Sequence, residues 1–408
     1  MKILCFLILF FLLNALGLEA QQWTTYTIAS TANGLASNVV NAIAVDASNN
    51  KWFGTSNGVS KFDGTKWTNY TTKDGLINNT VNAIAIDASG NKWFGTNIGV
   101  SKFNDTIWTN YTTSKGLVNN FIHTIAIDAA GNKWFGTNGG ASKFNDTIFT
   151  NFTLSSGLPS STVNAIAFDQ QKNIWFGTWG GGVSKFDGNK WINYTTSNGL
   201  ILDDVRAIAI DVLNNKWVGT GTITSKGVLS VELGGVSMYN DTSWISYNID
   251  NGMVDNFIRS IAIDAFGNKW FGTNGGVSKF DGTNWLNYDT ISGLANNCVL
   301  AVAIDKQKIK WFGTNGGGVS TLNDVVGIEE FNAYLMINIF PNPTQNSLTF
   351  KNIPDGKILI YSISGQLVLQ SIVNSTAKII DISSLPSGLY FVKLISEHQI
   401  LSAKFIKE

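Results

Sequence analysis

The chain has 408 residues with 28 basic and 28 acidic side chains, so its formal charge is zero, and charged residues make up only 14% of it. That balance excludes a basic nucleic-acid footprint and an acidic disordered tail, and two His in the whole chain exclude a His-rich metal site. At roughly 150 residues per domain the length allows two or three domains, while 41 Gly and 14 Trp with only 5 Pro suit many short strands joined by tight turns.

Lys2 precedes an unbroken apolar run from Ile3 to Leu13, and small or polar residues extend from there to Ala20. A membrane span needs about 20 apolar residues, which this run does not reach, so residues 1–20 read as a secretory signal peptide. Its removal leaves one thiol, Cys298, and no internal disulfide. An exported chain of this kind relies on burial alone for stability.

Self-similarity dominates the chain from residue 21 to residue 324. Trp-Phe-Gly-Thr begins at Trp52, Trp93, Trp134, Trp175, Trp270 and Trp311, with Trp-Val-Gly-Thr at Trp217; the intervals are 41, 41, 41, 42, 53 and 41 residues. That period is the length of one four-stranded propeller blade. Residues 39–72 illustrate the unit. Val39 to Asp46, apolar with small Ala, suits a crowded innermost strand, and Lys51 to Thr55 makes the second strand. Gly58 to Phe62 makes the third, closed by the hairpin signal Asp63-Gly64. Lys66 to Thr71 alternates bulky apolar with polar residues, as a half-exposed outer strand does.

The elements do not recur equally often. The inner-strand Asp occurs seven times, at Asp46, Asp87, Asp128, Asp169, Asp211, Asp264 and Asp305, but the outer strand accompanies only six of them, at Trp67, Trp108, Phe149, Trp191, Trp244 and Trp285. The missing copy is Gln22-Trp23-Thr24-Thr25-Tyr26-Thr27, ahead of the first inner strand. Joining it to the last blade closes a seven-bladed ring and removes the exposed strand edges of an open array.

Gly-Leu, Asn-x-Val, Ala-Ile-x-x-Asp, Gly-Asn-x-Trp-Phe-Gly-Thr and Gly-Gly-Val-Ser-Lys-Phe together resemble the two-component-regulator propeller repeat, best known from periplasmic sensing regions of bacterial hybrid sensor kinases. The resemblance covers about residues 21–324 and implies a β-propeller. Residues 325–336 read as a linker, and the composition then changes: no Trp occurs after Trp311, and four of the five Pro fall at Pro341, Pro343, Pro354 and Pro386. Residues 337–408 read as about seven short strands, hence a small β-sandwich. Ile339-Phe340-Pro341-Asn342-Pro343, Ile358 to Tyr361 with Ser364-Gly365, and Leu385-Pro386-Ser387-Gly388-Leu389-Tyr390 resemble the type A sorting domain of the type IX secretion system. Ser364 stands where that domain often has Asp. The resemblance implies that type IX machinery acts on residues 337–408 and delivers the chain to the cell surface or the medium. The expected fold class is therefore all-β, a seven-bladed propeller followed by a small β-sandwich.

Familiar catalytic patterns are missing: no Gly-x-Ser-x-Gly, no phosphate-binding Gly-rich loop before a helix, no His-Glu-x-x-His and no Cys pair at metal spacing. No catalytic residue, cofactor or metal is therefore assigned. Turns such as Asp87 to Asn91 lack the oxygen ligands and terminal Glu of a calcium loop, and their Asp is expected to cap its own turn.

In a repeat array the departures from the repeat carry the information. Trp179 is the one Trp outside the second and outer strands, and about 12 residues are inserted around Gly221 to Leu233. The chain's two Arg, Arg206 and Arg259, each lie five positions before their inner-strand Asp, where other blades have Asn41, Asn82, His123, Asn164 and Leu300. Asp203, Asp204 and Asp255 accompany them in the preceding loops. In an up-and-down blade the start of the inner strand and the turn between second and third strands share one face of the disc, which places these rarities in one sector.

Two readings stay open there. In one, the Arg pair with the neighbouring Asp, Trp179 covers a gap and the insertion is drift. In the other, Trp179, Arg206, Arg259, Asp203, Asp204, Asp255 and His123 form a ligand site for a carbohydrate or peptide, the indole stacking while guanidinium and carboxylates hydrogen-bond. Asn38, Asn79, Asn120, Ser161, Asp203, Asn256 and Asn297 would line the mouth or cap loops. A non-enzymatic, surface or secreted recognition module leads, with no nucleic acid and no membrane span after signal removal. The alternatives are a polysaccharide lyase or hydrolase using Asp203, Asp204 or Asp255 with an Arg or His123, and a structural adhesin.

Overall fold

Each repeat forms four strands because its second strand is apolar on both faces, whereas its outer strand is apolar on one. In blade 1, Lys51–Thr55 is buried throughout, and Trp67–Tyr70 is partly exposed. A sheet covered on both faces must sit between two neighbours, as blades of a ring do. The computed structural model describes residues 22–226, 229–324, 338–351, 353–362, 367–374, 379–396 and 400–408. The signal peptide at 1–20, the linker at 325–336 and the Ser364-Gly365 hairpin lie outside them.

Residues up to Asp324 build seven antiparallel four-stranded sheets, each in chain order from inner to outer except the last. Blade 7 takes Val299–Ile304, Lys310–Thr314 and Val319–Asn323 from the end of the array, and its outer strand is Gln22–Tyr26 from the start. The expected closure is present: Trp23 pairs with Leu322 and Tyr26 with Val319. Tyr26 stacks on Trp311 at 5.8 Å, and Lys51 of blade 1 reaches Asp305 of blade 7 at 3.1 Å.

Three repeated contacts explain the repeated letters. First, the indole N–H of every second-strand Trp donates to the Asp six residues earlier, for example Trp52 Nε1 to Asp46 Oδ2 at 3.0 Å and Trp175 to Asp169 at 2.9 Å. The other oxygen of that Asp accepts turn amides, such as those of Ser48 and Asn50, at 2.9 and 2.8 Å. Second, the Gly of Trp-Phe-Gly-Thr lies against the next blade: a Cβ on Gly54 would sit 2.7 Å from Val81 Cγ1, and one on Gly219 would sit 2.5 Å from Ile258 Cγ2. Third, Lys92 lies over Trp52 and Lys133 over Trp93, each at 5.1–5.2 Å, a cation–π contact from one blade to the one before.

Burial raises the Asp46, Asp87 and Asp128 carboxyls, but the Trp and Asn hydrogen bonds outweigh it and hold all three below the usual carboxylate range. A depressed folded value means that this stabilisation is complete above the unfolded carboxylate value of about 3.9 and is lost as pH falls through the folded values. The ring is therefore expected to keep its stability down to about pH 5 and to lose it steeply below about pH 4. Near-ultraviolet circular dichroism during acid titration checks this, and constant stability to pH 2 would contradict it.

The second unit has two sheets. One orders Asn338–Phe340, Ser347–Lys351 and Ile379–Asp381; the other orders Leu367–Val373, Gly356–Ser362, Gly388–Ile395 and Ile400–Lys407. Leu348, Phe350, Ile358, Ile360, Val392, Leu394 and Phe405 fill the core between them. The Tyr390 hydroxyl donates to Pro386 O at 2.7 Å, which fixes the Pro-Ser-Gly-Leu-Tyr corner.

Candidate functional site

All seven inner strands carry the same irregularity. Their pairing with the second strand skips one residue, between Val40 and Ala42 in blade 1 and at the equivalent place in every other blade. The skipped residues are Asn41, Asn82, His123, Asn164, Arg206, Arg259 and Leu300. A bulge frees one residue from the ladder and re-aims its side chain. In blades 1, 2 and 4 the bulged Asn reaches the next blade, its amide donating to the carbonyls of Val81, Ile122 and Val205 at 2.9–3.0 Å. Blades 3, 5 and 6 replace this clip with His or Arg.

The turn between second and third strands returns to the same face. Trp179 N donates to Thr162 O at 3.0 Å, Gly221 N to Asp204 O at 3.1 Å and Asn274 N to Phe257 O at 3.3 Å. The structure thus brings Trp179, Arg206 and Arg259 together, with Phe257 among them. The Arg206 guanidinium lies 4.6 Å from the Trp179 ring centre and 4.8 Å from that of Phe257; Arg259 lies 4.6 Å from Phe257. Phe257 is buried, whereas Trp179 is 50% exposed and offers ring surface to solvent.

Neither Arg forms an ion pair among the described residues. Each donates through Nε, Arg206 to Gly221 O at 2.9 Å and Arg259 to Asn274 Oδ1 at 2.6 Å, and among the described residues the terminal nitrogens have no hydrogen-bond partner. Burial and the nearby Arg259 charge lower the Arg206 pKa, and Asp204 partly offsets them. The pairing of Arg with neighbouring Asp, one of the two readings from sequence, is not what the side chains do.

The acidic residues separate. Asp203 accepts the amide of Thr196 at 2.7 Å and so caps its loop. Asn38, Asn79, Asn120, Asn256 and Asn297 accept an amide in the same way, so each of them caps its loop. Asp204 acts on Arg206 through its charge. Asp255 lies within hydrogen-bonding reach of Glu232; burial and that carboxylate push it up to about 6, against the Phe257 amide and Arg259, which favour its ionised form. His123 Nε2 bonds Asn138 Oδ1 at 2.6 Å; burial lowers its pKa, the Asn138 bond opposes that, and the Arg206 charge adds to it.

Sequence reasoning missed Glu232, Phe257, Asn274 and Cys298. The insertion extends the blade-5 hairpin to two 11-residue strands, Lys216–Lys226 and Leu229–Tyr239, and sets Glu232 opposite Ile223. Asn274 links the parts: it donates to Glu232 Oε1 at 2.8 Å and accepts from Arg259, and Cys298 Sγ approaches the same oxygen at 3.5 Å. A signal was available in composition. Within residues 22–324 the only two Arg, the only Glu, the only His and the only Cys all belong to this set. An open cleft of about 360 Å³ lies elsewhere, against Ile28, Leu35, Ala36 and Asn57, and no charged side chain lines it.

Among the described residues no group of three His, Cys, Asp or Glu is arranged to hold a metal ion, and no helix is long and apolar enough to cross a membrane. The arrangement offers stacking surface, guanidinium donors and two neighbouring carboxyls, Glu232 and Asp255.

Comparisons with known proteins agree with this architecture. Residues 157–180 match the two component regulator propeller family and residues 338–408 match the secretion system C-terminal sorting domain. No curated protein matches the chain in sequence. Among solved structures, the extracellular domain of a hybrid two component system of B. thetaiotaomicron is similar with a TM-score of 0.65 at 19% identity, over 95% of this chain and 57% of that one. The chain thus spans little more than half the length of that relative. A streptogramin B lyase is similar with a TM-score of 0.59 at 13% identity, over 74% of this chain and 97% of its own. Virginiamycin B lyase from Staphylococcus aureus gives 0.56 at 15%, over 74% and 99%. At these identities the likeness is one of fold. The chain joins a seven-bladed propeller, matched by the two component regulator propeller family at residues 157–180, to a secretion system C-terminal sorting domain, which marks it for export to the cell surface or the medium.

Proposed function

We propose that the ring is a surface or secreted recognition module whose ligand site is the channel mouth at blades 4 to 6, and that the ligand is a saccharide. One observation carries this reading: the one-off side chains of a repetitive ring converge there, with an exposed indole beside unpaired guanidiniums. Repeats make a disc face uniform, so a cluster of exceptions marks where the uniform surface does not suffice. An indole face takes sugar C–H groups, and guanidiniums take hydroxyls or acidic groups. The tail serves as the type IX machinery's handle for export.

Calorimetric titration with bacterial surface polysaccharides tests the reading. Binding is expected, and Trp179→Ala is expected to weaken it about tenfold, or ~1.4 kcal/mol. Binding only to peptides would move the ligand class, and no binding to either would favour a structural adhesin. A second reading has one observation in its favour. The Asp255 carboxyl, raised to about 6, has the property of a general acid. Saccharide cleavage that Asp255→Asn abolishes would establish a lyase or hydrolase instead.

A further inference from the structure

Two charge systems lie side by side in this sector. Arg206 and Arg259 both stack on Phe257 and keep their terminal nitrogens unpaired among the described residues. Glu232 and Asp255 approach within hydrogen-bonding reach, Glu232 fixed by Asn274 Nδ2 at 2.8 Å and Asp255 by the Phe257 amide at 2.6 Å. Two carboxyls so close repel when both are ionised and hold one proton more tightly than either would alone.

Resting on the reading of this sector as the ligand site, we propose that it binds an anionic group of the ligand, a carboxylate or sulfate, across Arg206 and Arg259, and that the Glu232–Asp255 pair takes up a proton as the anion binds. With both carboxyls ionised, and with Asp204, which also faces Arg206, counted beside them, two guanidiniums and three carboxylates sum to one net negative charge, which opposes an incoming anion. With one proton on the pair the same five groups sum to zero, and that repulsion is gone. Anion and proton therefore favour each other, and the coupling is reciprocal.

The other charged groups fit this account. Asp255 is faced by Glu232 from the blade-5 hairpin and by Arg259 from its own blade. Arg206 is faced by Arg259 and Asp204, and its charge reaches His123. His123 also gains charge on acidification, so its contribution must be separated. His123→Asn does this, because Asn is the residue that blades 1, 2 and 4 carry at the bulge.

The chain has only two Arg, so the full chain labelled selectively with 15N-arginine shows two Nε–H resonances, one from each residue in question. Sodium sulfate and D-glucuronate are the probes, since both keep a constant charge between about pH 5 and 8, and D-glucose is the uncharged comparison. Both resonances are expected to shift saturably with sulfate and glucuronate but not with glucose. Affinity is expected to fall roughly three- to tenfold per pH unit as pH rises through 6, the point near which Asp255 titrates. Asp255→Asn should remove that dependence, and His123→Asn should retain it. Saturable shifts with a pH-independent affinity would overturn the proton coupling and leave the recognition site standing. Unmoved resonances would overturn the anion site, while saccharide binding lost on Trp179→Ala would still uphold the recognition reading.

Discussion

A chain that begins at Thr27, without Gln22–Tyr26, is expected to melt about 10 °C or more below the intact chain and to self-associate. The missing strand carries two aromatic residues into blade 7: Trp23 lies 5.8 Å from Phe312, and Tyr26 stacks on Trp311 at 5.8 Å. Removing partly buried aromatics costs about 2–3 kcal/mol each, and the five-residue ladder against Val319–Asn323 is lost with them. The edge so exposed is a strand whose residues are almost all buried in the closed ring, which makes it a template for pairing with a second chain. Scanning calorimetry with size-exclusion chromatography checks both parts. An unchanged melting temperature in a monomer would show that the ring does not depend on this closure.

Asp169→Ala is expected to destabilise the ring by about 3 kcal/mol or more, because each buried donor left without a partner costs about 1–3 kcal/mol. Its carboxylate accepts from Asn173 N at 2.8 Å, Asn173 Nδ2 at 2.7 Å and Trp175 Nε1 at 2.9 Å. Asp187 offers the comparison. It also accepts turn amides, at 2.7 and 2.8 Å, but in an exposed hairpin where water replaces it. Denaturant unfolding of Asp169→Ala and Asp187→Ala should therefore differ widely. Equal midpoints would mean that the Asp-to-Trp clip is not what holds each blade.

Both of these results concern features that the sequence exposes directly. Spacing of Trp-Phe-Gly-Thr gives the blades, and the shortage of one outer strand gives the closure through Trp23 and Tyr26. The shared face of Trp179, Arg206 and Arg259 was also legible, since up-and-down topology alone places it. The inner-strand bulge was not. It is a relation between two strands, and the bulged residue is Asn, His, Arg or Leu, so no residue type announces it. Phe257 gives no signal because an aromatic before an inner strand also occurs at Phe121, where it packs 4.9 Å from His123. Glu232 is visible as the ring's one Glu, but it lies inside an insertion whose own course the repeat does not predict. Its partner Asp255 comes from the next blade, and only the extended hairpin brings the two together. Asp203, by contrast, reads in sequence as an acid beside Arg206 and proves to cap a loop, because its position in the repeat is a capping position in other blades too.

The central claim is that recognition resides in one sector of one face, not in the face as a whole. Blade 1 carries Ser56, likewise exposed, at the place that Trp179 holds in blade 4. Calorimetry with the saccharide that binds best, comparing Trp179→Ala with Ser56→Ala, tests the claim most directly. The account predicts a loss of about tenfold for the first and less than about twofold for the second. Equal effects of the two substitutions, or a larger effect at Ser56, would contradict it.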